Sequence, residues 1–476
     1  MTDISRGQTS KNMMVIFVCF IAALAGLLFG MDIGVIAGAL PFLAHEFQAS
    51  SAQQEWIVSS MMFGAAIGAI GNGIFAARLG RKLSLMLGAL LFVVGSVGSA
   101  LAPNPEILII ARIFLGLAVG VASYTAPIYL SEMAPERIRG GMISMYQLMV
   151  ATGVLLAYIS DTWLSYSGAW RWMLGVIAFP SGVLFLCVLF MPESPRWLAT
   201  RGRLDEAEKV LNRLNDTPQQ VQREMDDIRD SLKVKQQGLA LVLSNPYVRK
   251  VVVLGIILQC MQQFTGINVI MYYAPKIFEL AGFASTEQQM WGTVIVGIVA
   301  AGATFIAIGL VDRWGRRPTL MTGFCVMAAG MGILGLMFHV GIHSTFAQYF
   351  AISMLLMFLL GFSMSAGPLI WVLCSEIQPL KSRDIGITCS TATNWIANMI
   401  VGFTFLTMLD SLGSAATFWL YAFLLIVFVL LTFLLVPETK NISLENIERN
   451  LFKGKPLREL GQPVSNVSLS TNTPQA

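Results

Sequence analysis

Long apolar runs alternate with short polar gaps along the chain. Runs of about 20 mostly apolar residues, the length a helix needs to cross a bilayer, fall at 13–37, 55–77, 84–102, 106–129, 142–162, 171–191, 251–279, 291–311, 318–340, 349–377, 386–408 and 416–436. This pattern predicts an all-α polytopic membrane protein with twelve transmembrane helices. The seventh and tenth runs are long and contain Gly or Gly-Pro, which predicts irregular backbone within them. The polar interruption at 192–249 carries two amphipathic patterns. Leu204, Ala207, Leu211 and Leu214 share one face, and Val221, Met225, Ile228 and Leu232 share another, as in helices lying between two groups of six. The tail from about 459 is polar and expected to be disordered. The units so predicted are a first bundle at 1–195, a helical linker at 196–249, a second bundle at 250–440 and a tail at 441–476.

Composition narrows the reading. The chain is 55% hydrophobic and only 12% charged, against about a quarter charged in soluble domains. An even number of helices puts both termini on one side. If that side is the cytoplasm, every Lys and Arg except Arg112, Arg171 and Lys276 falls in a tail or cytoplasmic loop, as the positive-inside rule requires. The net charge of +4 is therefore a topology signal and no sign of nucleic acid. The first run is too long and Gly-rich for a cleaved signal peptide. Cys19, Cys187, Cys260, Cys325, Cys374 and Cys389 are scattered singly, without metal-ligand spacing or a disulfide framework. His45, His339 and His343 lie at or near external loops. Nothing here suggests an enzyme, a metal site or a cofactor.

The two halves echo each other. RLGRK at 78–82 recurs as DRWGRR at 312–317, and PESPR at 192–196 recurs as PETK at 437–440. Glu132 and Arg139 in SEMAPERIRG recur 244 residues later as Glu376 and Arg383 in SEIQPLKSRD. One copy alone would pass for ordinary turns, but three motifs repeated in one order indicate a duplication. Parallel six-helix repeats describe a transporter that rocks two bundles about a central site.

These motifs, with QQFTGIN at 262–268 and GPLIWVLCSEIQPLKSRD at 367–384, resemble the sugar porter family of the major facilitator superfamily over residues 13 to 458. The resemblance implies two pseudo-symmetric six-helix bundles, transport of a monosaccharide such as galactose or glucose by alternating access, and a multi-pass place in the bacterial inner membrane. It implies a lipid bilayer as surroundings, a monomer as the working unit, and no cofactor. Two positions depart from the family pattern: Ala77 stands where an Asp is usual, and Ala300 where many members carry an Asn. Arg81, Glu132, Arg139 and Glu193 in the first half, with Asp312, Arg316, Glu376, Arg383 and Glu438 in the second, are expected to form charge networks. These would hold the cytoplasmic side shut and separate when it opens.

A hexose both donates and accepts hydrogen bonds, and an amide does both without a charge to desolvate. Within the apolar runs the amides cluster: Gln147, Gln259, Gln262, Gln263, Asn268, Asn394 and Asn398. Asn394 and Asn398 share one helix face. A break at Thr265-Gly266 would let Gln262 and Asn268 face one cavity, as in the broken helices of transporter sites. Alternatively, the amides satisfy one another between helices. The resemblance assigns Gln147, Gln262, Gln263, Asn268 and Asn398 to the sugar hydroxyls. It assigns Trp371 to the sugar's apolar face, with Gly367 leaving room one turn away, and Phe29, Tyr272 and Trp395 to the cavity wall. Gln259 is not marked by the pattern and is expected to contribute little to binding.

Asp32 interrupts the first run in its outer third. A carboxylate deep in a bilayer costs roughly 2.5–3.5 kcal/mol on insertion scales. Arg112 is the one basic residue clearly inside a run, at a matching depth. Burial disfavours a carboxylate's charge and a neighbouring guanidinium favours it, so a small rearrangement could load or discharge a proton. A static ion pair between the first and fourth helices is the plainer alternative. The resemblance favours coupling, since proton-linked sugar porters carry Asp at this position and facilitative glucose transporters usually carry Asn. A facilitative uniporter, or a sugar sensor of the same fold, remains the rival reading.

Overall fold

The computed structural model describes residues 2–215, 217–233 and 238–462; for 2–14, 74, 77, 136–141, 143–144, 231, 233, 238, 305–313 and 380 it describes only the backbone. The first half comprises α1 (Thr2–Phe47), α2 (Ser51–Leu79), α3 (Arg81–Leu101), α4 (Pro105–Met133), α5 (Glu136–Ser165), α6 (Trp170–Gly175) and α7 (Ala178–Leu189). Four short helices follow: α8 (Pro195–Thr200), α9 (Leu204–Leu214), α10 (Pro218–Lys233) and α11 (Gly238–Ser244). The second half comprises α12 (Pro246–Gln263), α13 (Ile267–Leu280), α14 (Thr286–Trp314), α15 (Arg316–Val340), α16 (Thr345–Met364), α17 (Ala366–Glu376), α18 (Arg383–Leu412) and α19 (Ser414–Leu435), and α20 (Leu444–Phe452) closes the chain. Among the described residues, 11 segments are long and apolar enough to cross a membrane. The remaining run of the twelve, the eighth at 291–311, is α14, part of which is described by backbone alone.

Helix ends follow local chemistry. Ser50 and Gln53 form a capping box at α2, and Asn104 caps α4 ahead of Pro105. Both long runs are broken as the Gly content predicts. Between α12 and α13 Gly266 adopts φ 87°, a left-handed turn that a side chain would oppose. Thr265 donates to the Gln262 carbonyl at 2.7 Å across that break. Between α16 and α17 Ser365 leaves the helical region and donates back to the Gly361 carbonyl at 2.6 Å. The sixth run is also broken, between α6 and α7, which its apolar pattern did not announce. Pro180 explains it: its ring excludes the carbonyl four residues earlier and supplies no N–H.

Three expectations need adjusting. The first run continues as membrane-competent helix from Val15 to Phe47, because ALPFL at 39–43 stays apolar through Pro41. Asp32 therefore sits near its middle and not in an outer third. On α10, Val221, Met225 and Ile228 are buried but Leu232 is exposed, the helix having turned its last apolar residue to solvent. The tail remains ordered to Gln462, where Asn450 Nδ2 donates to the carbonyls of Leu460 (2.9 Å) and Gln462 (2.7 Å). The remainder, 463–476, lies outside the described residues.

Close packing inside the first half depends on glycine. Gly26, Gly30, Gly34 and Gly38 recur every fourth residue on α1, and at each a Cβ would collide with α5. Gly64 and Gly68 on α2 and Gly116 and Gly120 on α4 mate in the same manner. Small residues let backbones approach where lipid gives no hydrophobic drive for association.

Candidate functional site

The amides of the second half fall into two groups. Gln262 Nε2 donates to the carbonyls of Ala366 (2.9 Å) and Gly367 (3.0 Å), just after the α16–α17 break. Its Oε1 accepts from Asn394 Nδ2 at 2.8 Å, and Asn394 also donates to Gln259 Oε1 at 2.7 Å. Gln259, Gln262 and Asn394 thus knit α12, α17 and α18 together, the interhelical use of amides foreseen as the alternative. Gln259 is no bystander: it is buried, and its Nε2 approaches Cys374 Sγ at 3.6 Å. Across the α12–α13 break it is Gln263, not Gln262, that meets Asn268, whose Nδ2 donates to Gln263 Oε1.

The second group has capacity to spare. Asn398 Nδ2 donates to Tyr272 Oη at 3.2 Å, yet Asn398 Oδ1 and the neighbouring Trp395 Nε1 are buried without a partner. Gln263 Nε2 likewise has no hydrogen-bond partner among the described residues. Phe29, from the first half, meets Trp395 edge to face at 5.6 Å between centroids. Trp371 is 42% exposed, one turn from Gly367. Gln147 on α5 is exposed and without a partner among the described residues. At 100° per residue it points away from the exposed apolar Leu156 and Trp163 on the same helix. Among the described residues no hydrogen bond joins it to the second-half amides.

Asp32 and Arg112 meet. Arg112 Nη1 lies 3.5 Å from Asp32 Oδ1, with both side chains 0% exposed. Arg112 Nε donates to the Ile57 carbonyl at 2.8 Å. Both carboxyl oxygens of Asp32 and both terminal nitrogens of Arg112 lack a hydrogen bond. The charges are close but not docked, an arrangement without the geometry that repays burial of a static pair.

At the end carrying the termini and α8–α11, the repeated motifs form two copies of one network. Gly80 (φ 92°) and Gly315 (φ 93°) turn the chain into α3 and α15. Glu193 accepts from the first amides of α3, Arg81 N at 2.9 Å and Lys82 N at 3.1 Å. Glu438 does the same for α15, accepting from Arg316 N and Arg317 N at 3.0 Å each. A carboxylate there gains from the helix N-terminus. Arg81 grips Glu132 with two bonds of 3.0 Å, and Ser194 donates to the same carboxylate at 2.5 Å. In the second half Arg316 reaches Glu376 at 3.2 Å and Thr439 donates to it at 2.5 Å. Both networks lie within their own half. Arg383 Nε and Nη2 are buried without a partner. The side chains of Arg139, Asp312 and Ala77 lie outside the described residues.

The hydrogen bonds that join the two halves cluster away from the termini. Glu55 on α2, 1% exposed, accepts from Thr407 N and Thr407 Oγ1 on α18 at 2.7 Å each. Trp56 packs edge to face on Phe403, one turn from Thr407, at 4.9 Å. Tyr158 donates to the Met271 carbonyl at 2.8 Å and Tyr166 to Glu287 at 3.0 Å. Sequence reasoning missed Glu55 and a further buried acid, Asp161. Each stands at the edge of an apolar run, where a charge reads as the helix boundary.

Residues 18–451 match the family model described as sugar (and other) transporter. The chain belongs to the sugar transporter family. Among its relatives in that family is the galactose-proton symporter of Escherichia coli strain K12, 68% identical over 97% of this chain and 99% of the relative. The arabinose-proton symporter of the same strain is 59% identical over 96% and 97%. Among solved structures, the xylose transporter XylE from E. coli in a partially occluded inward-open conformation superposes with a TM-score of 0.79 at 31% identity, covering 90% of this chain and 99% of that one. The twelve-helix, two-bundle fold is thus that of a sugar transporter of the major facilitator type.

Proposed function

We propose that this protein carries a monosaccharide, galactose or glucose, together with a proton into a bacterial cell across the inner membrane, working as a monomer. The observation that carries the reading is the undocked Asp32–Arg112 pair, buried at 3.5 Å with its polar atoms unsatisfied. A proton on Asp32 would free Arg112, and loss of that proton would draw the pair together, so the pair can read protonation as geometry. The likeness to a galactose-proton symporter supports both the proton and galactose as substrates.

In this reading the termini and α8–α11 are cytoplasmic, and the end closed by Glu55–Thr407 is external. Residues 1–195 and 250–440 form the two moving bundles, 196–249 the linker and 441–476 the tail. The sugar is held chiefly by the second half. Gln263, Asn268 and Asn398 offer hydrogen bonds, with Gln262 and Asn394 braced behind them. Trp371 stacks on the sugar's apolar face beside Gly367, Phe29, Tyr272 and Trp395 line the wall, and Gln147 reaches in from the first half. Buried atoms such as Asn398 Oδ1 and Trp395 Nε1 are costly left unpaired, and a sugar hydroxyl satisfies them. Arg81, Glu132, Arg139 and Glu193, with Asp312, Arg316, Glu376, Arg383 and Glu438, act as the cytoplasmic gate. Because their pairs lie within each half, they stiffen each bundle's rim, and the unpaired Arg383 is the group free to cross the gap.

The test is uptake of labelled monosaccharides into membrane vesicles with and without a protonophore, together with alkalinisation of the medium on adding sugar. Accumulation that collapses with the protonophore is expected. Equilibration that ignores the protonophore would favour a uniporter, and sugar binding without flux would favour a sensor.

A further inference from the structure

Asp161 lies on α5 near the end remote from the termini and is 1% exposed. Neither of its carboxyl oxygens has a well-formed hydrogen bond among the described residues, and the nearest donor is the backbone amide of Gly38. It packs directly on α1 at Gly38, where no Cβ would fit. Gly38 lies six residues beyond Asp32, about 9 Å nearer the outer end at 1.5 Å per residue.

Among the described residues no countercharge answers it. On α1, Glu46 is taken by Arg171 and Trp170, His45 is exposed beside it, and Asp32 faces Arg112 on α4. Arg171 on α6 is the partner of Glu46, Lys276 on α13 pairs with Glu279, and Glu287 on α14 accepts from Tyr166. On α5 itself Tyr158, one turn earlier, spends its hydroxyl on the Met271 carbonyl. An ionised carboxylate so placed surrenders its water with no cation in return, whereas the protonated acid is only a buried polar group. The site also borders a seam that must part for the outer end to open, because the Tyr158–Met271 bond joins the two halves.

We propose that Asp161 is a second proton-holding residue of the transport cycle, protonated while the outer end is closed and exchanging that proton with external water when α5 separates from α13 and α14. On closing, hydronium in the external water gives its proton to a carboxylate oxygen and becomes water; on opening, the same O–H bond breaks and the proton returns. Closure of the outer end thus takes up a proton at Asp161, separate from the one carried at Asp32. The place in a cycle rests on the symport reading, but the protonation does not.

Difference infrared spectroscopy on the full chain in liposomes, with no sugar or gradient, tests it. At neutral pH the wild type should show a carboxylic-acid C=O band that Asp161→Asn removes and Asp32→Asn leaves in place. A band unchanged in Asp161→Asn overturns the proposal. Tyr158→Phe keeps the acid but loosens the seam, and should speed deuterium exchange of that band several-fold; wild-type exchange there would also count against it. Sugar counterflow, which needs no gradient, should become flatter with external pH in Asp161→Asn while accumulation stays within about twofold of wild type. An unchanged pH profile in folded Asp161→Asn would mean the residue is only packing.

Discussion

The interiors of the two halves are polar in different ways. The first half buries ionisable groups, Asp32, Glu55, Arg112 and Asp161, each at most 1% exposed. The second buries amides, Gln259, Gln262, Gln263, Asn394 and Asn398, with Asn268 beside them. A charge responds to a proton or to a partner's withdrawal, whereas an amide offers fixed donors and acceptors to a neutral ligand. The division suggests that the second half recognises the sugar while the first half senses the proton and moves over it.

The sharpest way to break this comparison is Asp32→Asn. It should abolish accumulation against a gradient while sugar exchange remains measurable; concentrative uptake at the wild-type level by this variant would dissolve the division. Next in size, Gln263→Ala and Asn268→Ala should each weaken sugar binding by roughly ten- to a hundredfold, or about 1–3 kcal/mol, read by calorimetric titration with galactose and glucose. Because the two side chains bond each other, the double variant should lose less than the sum of the singles. Gln259→Ala should instead lower thermal stability and leave affinity nearly intact, since its partners are Asn394 and Cys374.

A smaller effect is expected at the outer clasp. Thr407→Val removes one of two charge-assisted bonds to Glu55, and should shift the closed outer end toward opening by about five- to tenfold. Labelling of a cysteine placed at the cavity wall by an impermeant reagent would show the shift. Smallest of all, Arg383→Ala should slow turnover a few-fold with little change in sugar affinity. Lost affinity with turnover intact would remove Arg383 from the gate.

The number of spans, their order and the duplicated motifs were legible because each rests on a long or repeated pattern. The Asp32–Arg112 contact was legible as well, since only one cation in the apolar runs could answer one acid at that depth. The division of labour among the amides was not. Periodicity places Gln262 and Gln263 on neighbouring faces of α12, but which one crosses the break to Asn268 depends on the left-handed turn at Gly266. Glu55 and Asp161 escaped notice for another reason. Hydropathy treats a charge at the edge of a run as the water boundary, and only tertiary packing reveals that the helix goes on and another covers the charge.

The glycines of α1 carry a mechanical corollary. With no side chain to yield at four successive turns against α5, the two helices have almost no clearance in which to slide or roll. They behave as one beam, with Asp32 mounted on one flange and Gln147 on the other. In the proposed cycle, this packing would hold the spacing between Asp32, the proposed proton carrier, and Gln147, the proposed sugar contact of the first half, as the bundles rock. Any exchange of information between proton and sugar must arise where this beam meets the second half, at Phe29–Trp395 and Tyr158–Met271, because the beam itself has no give.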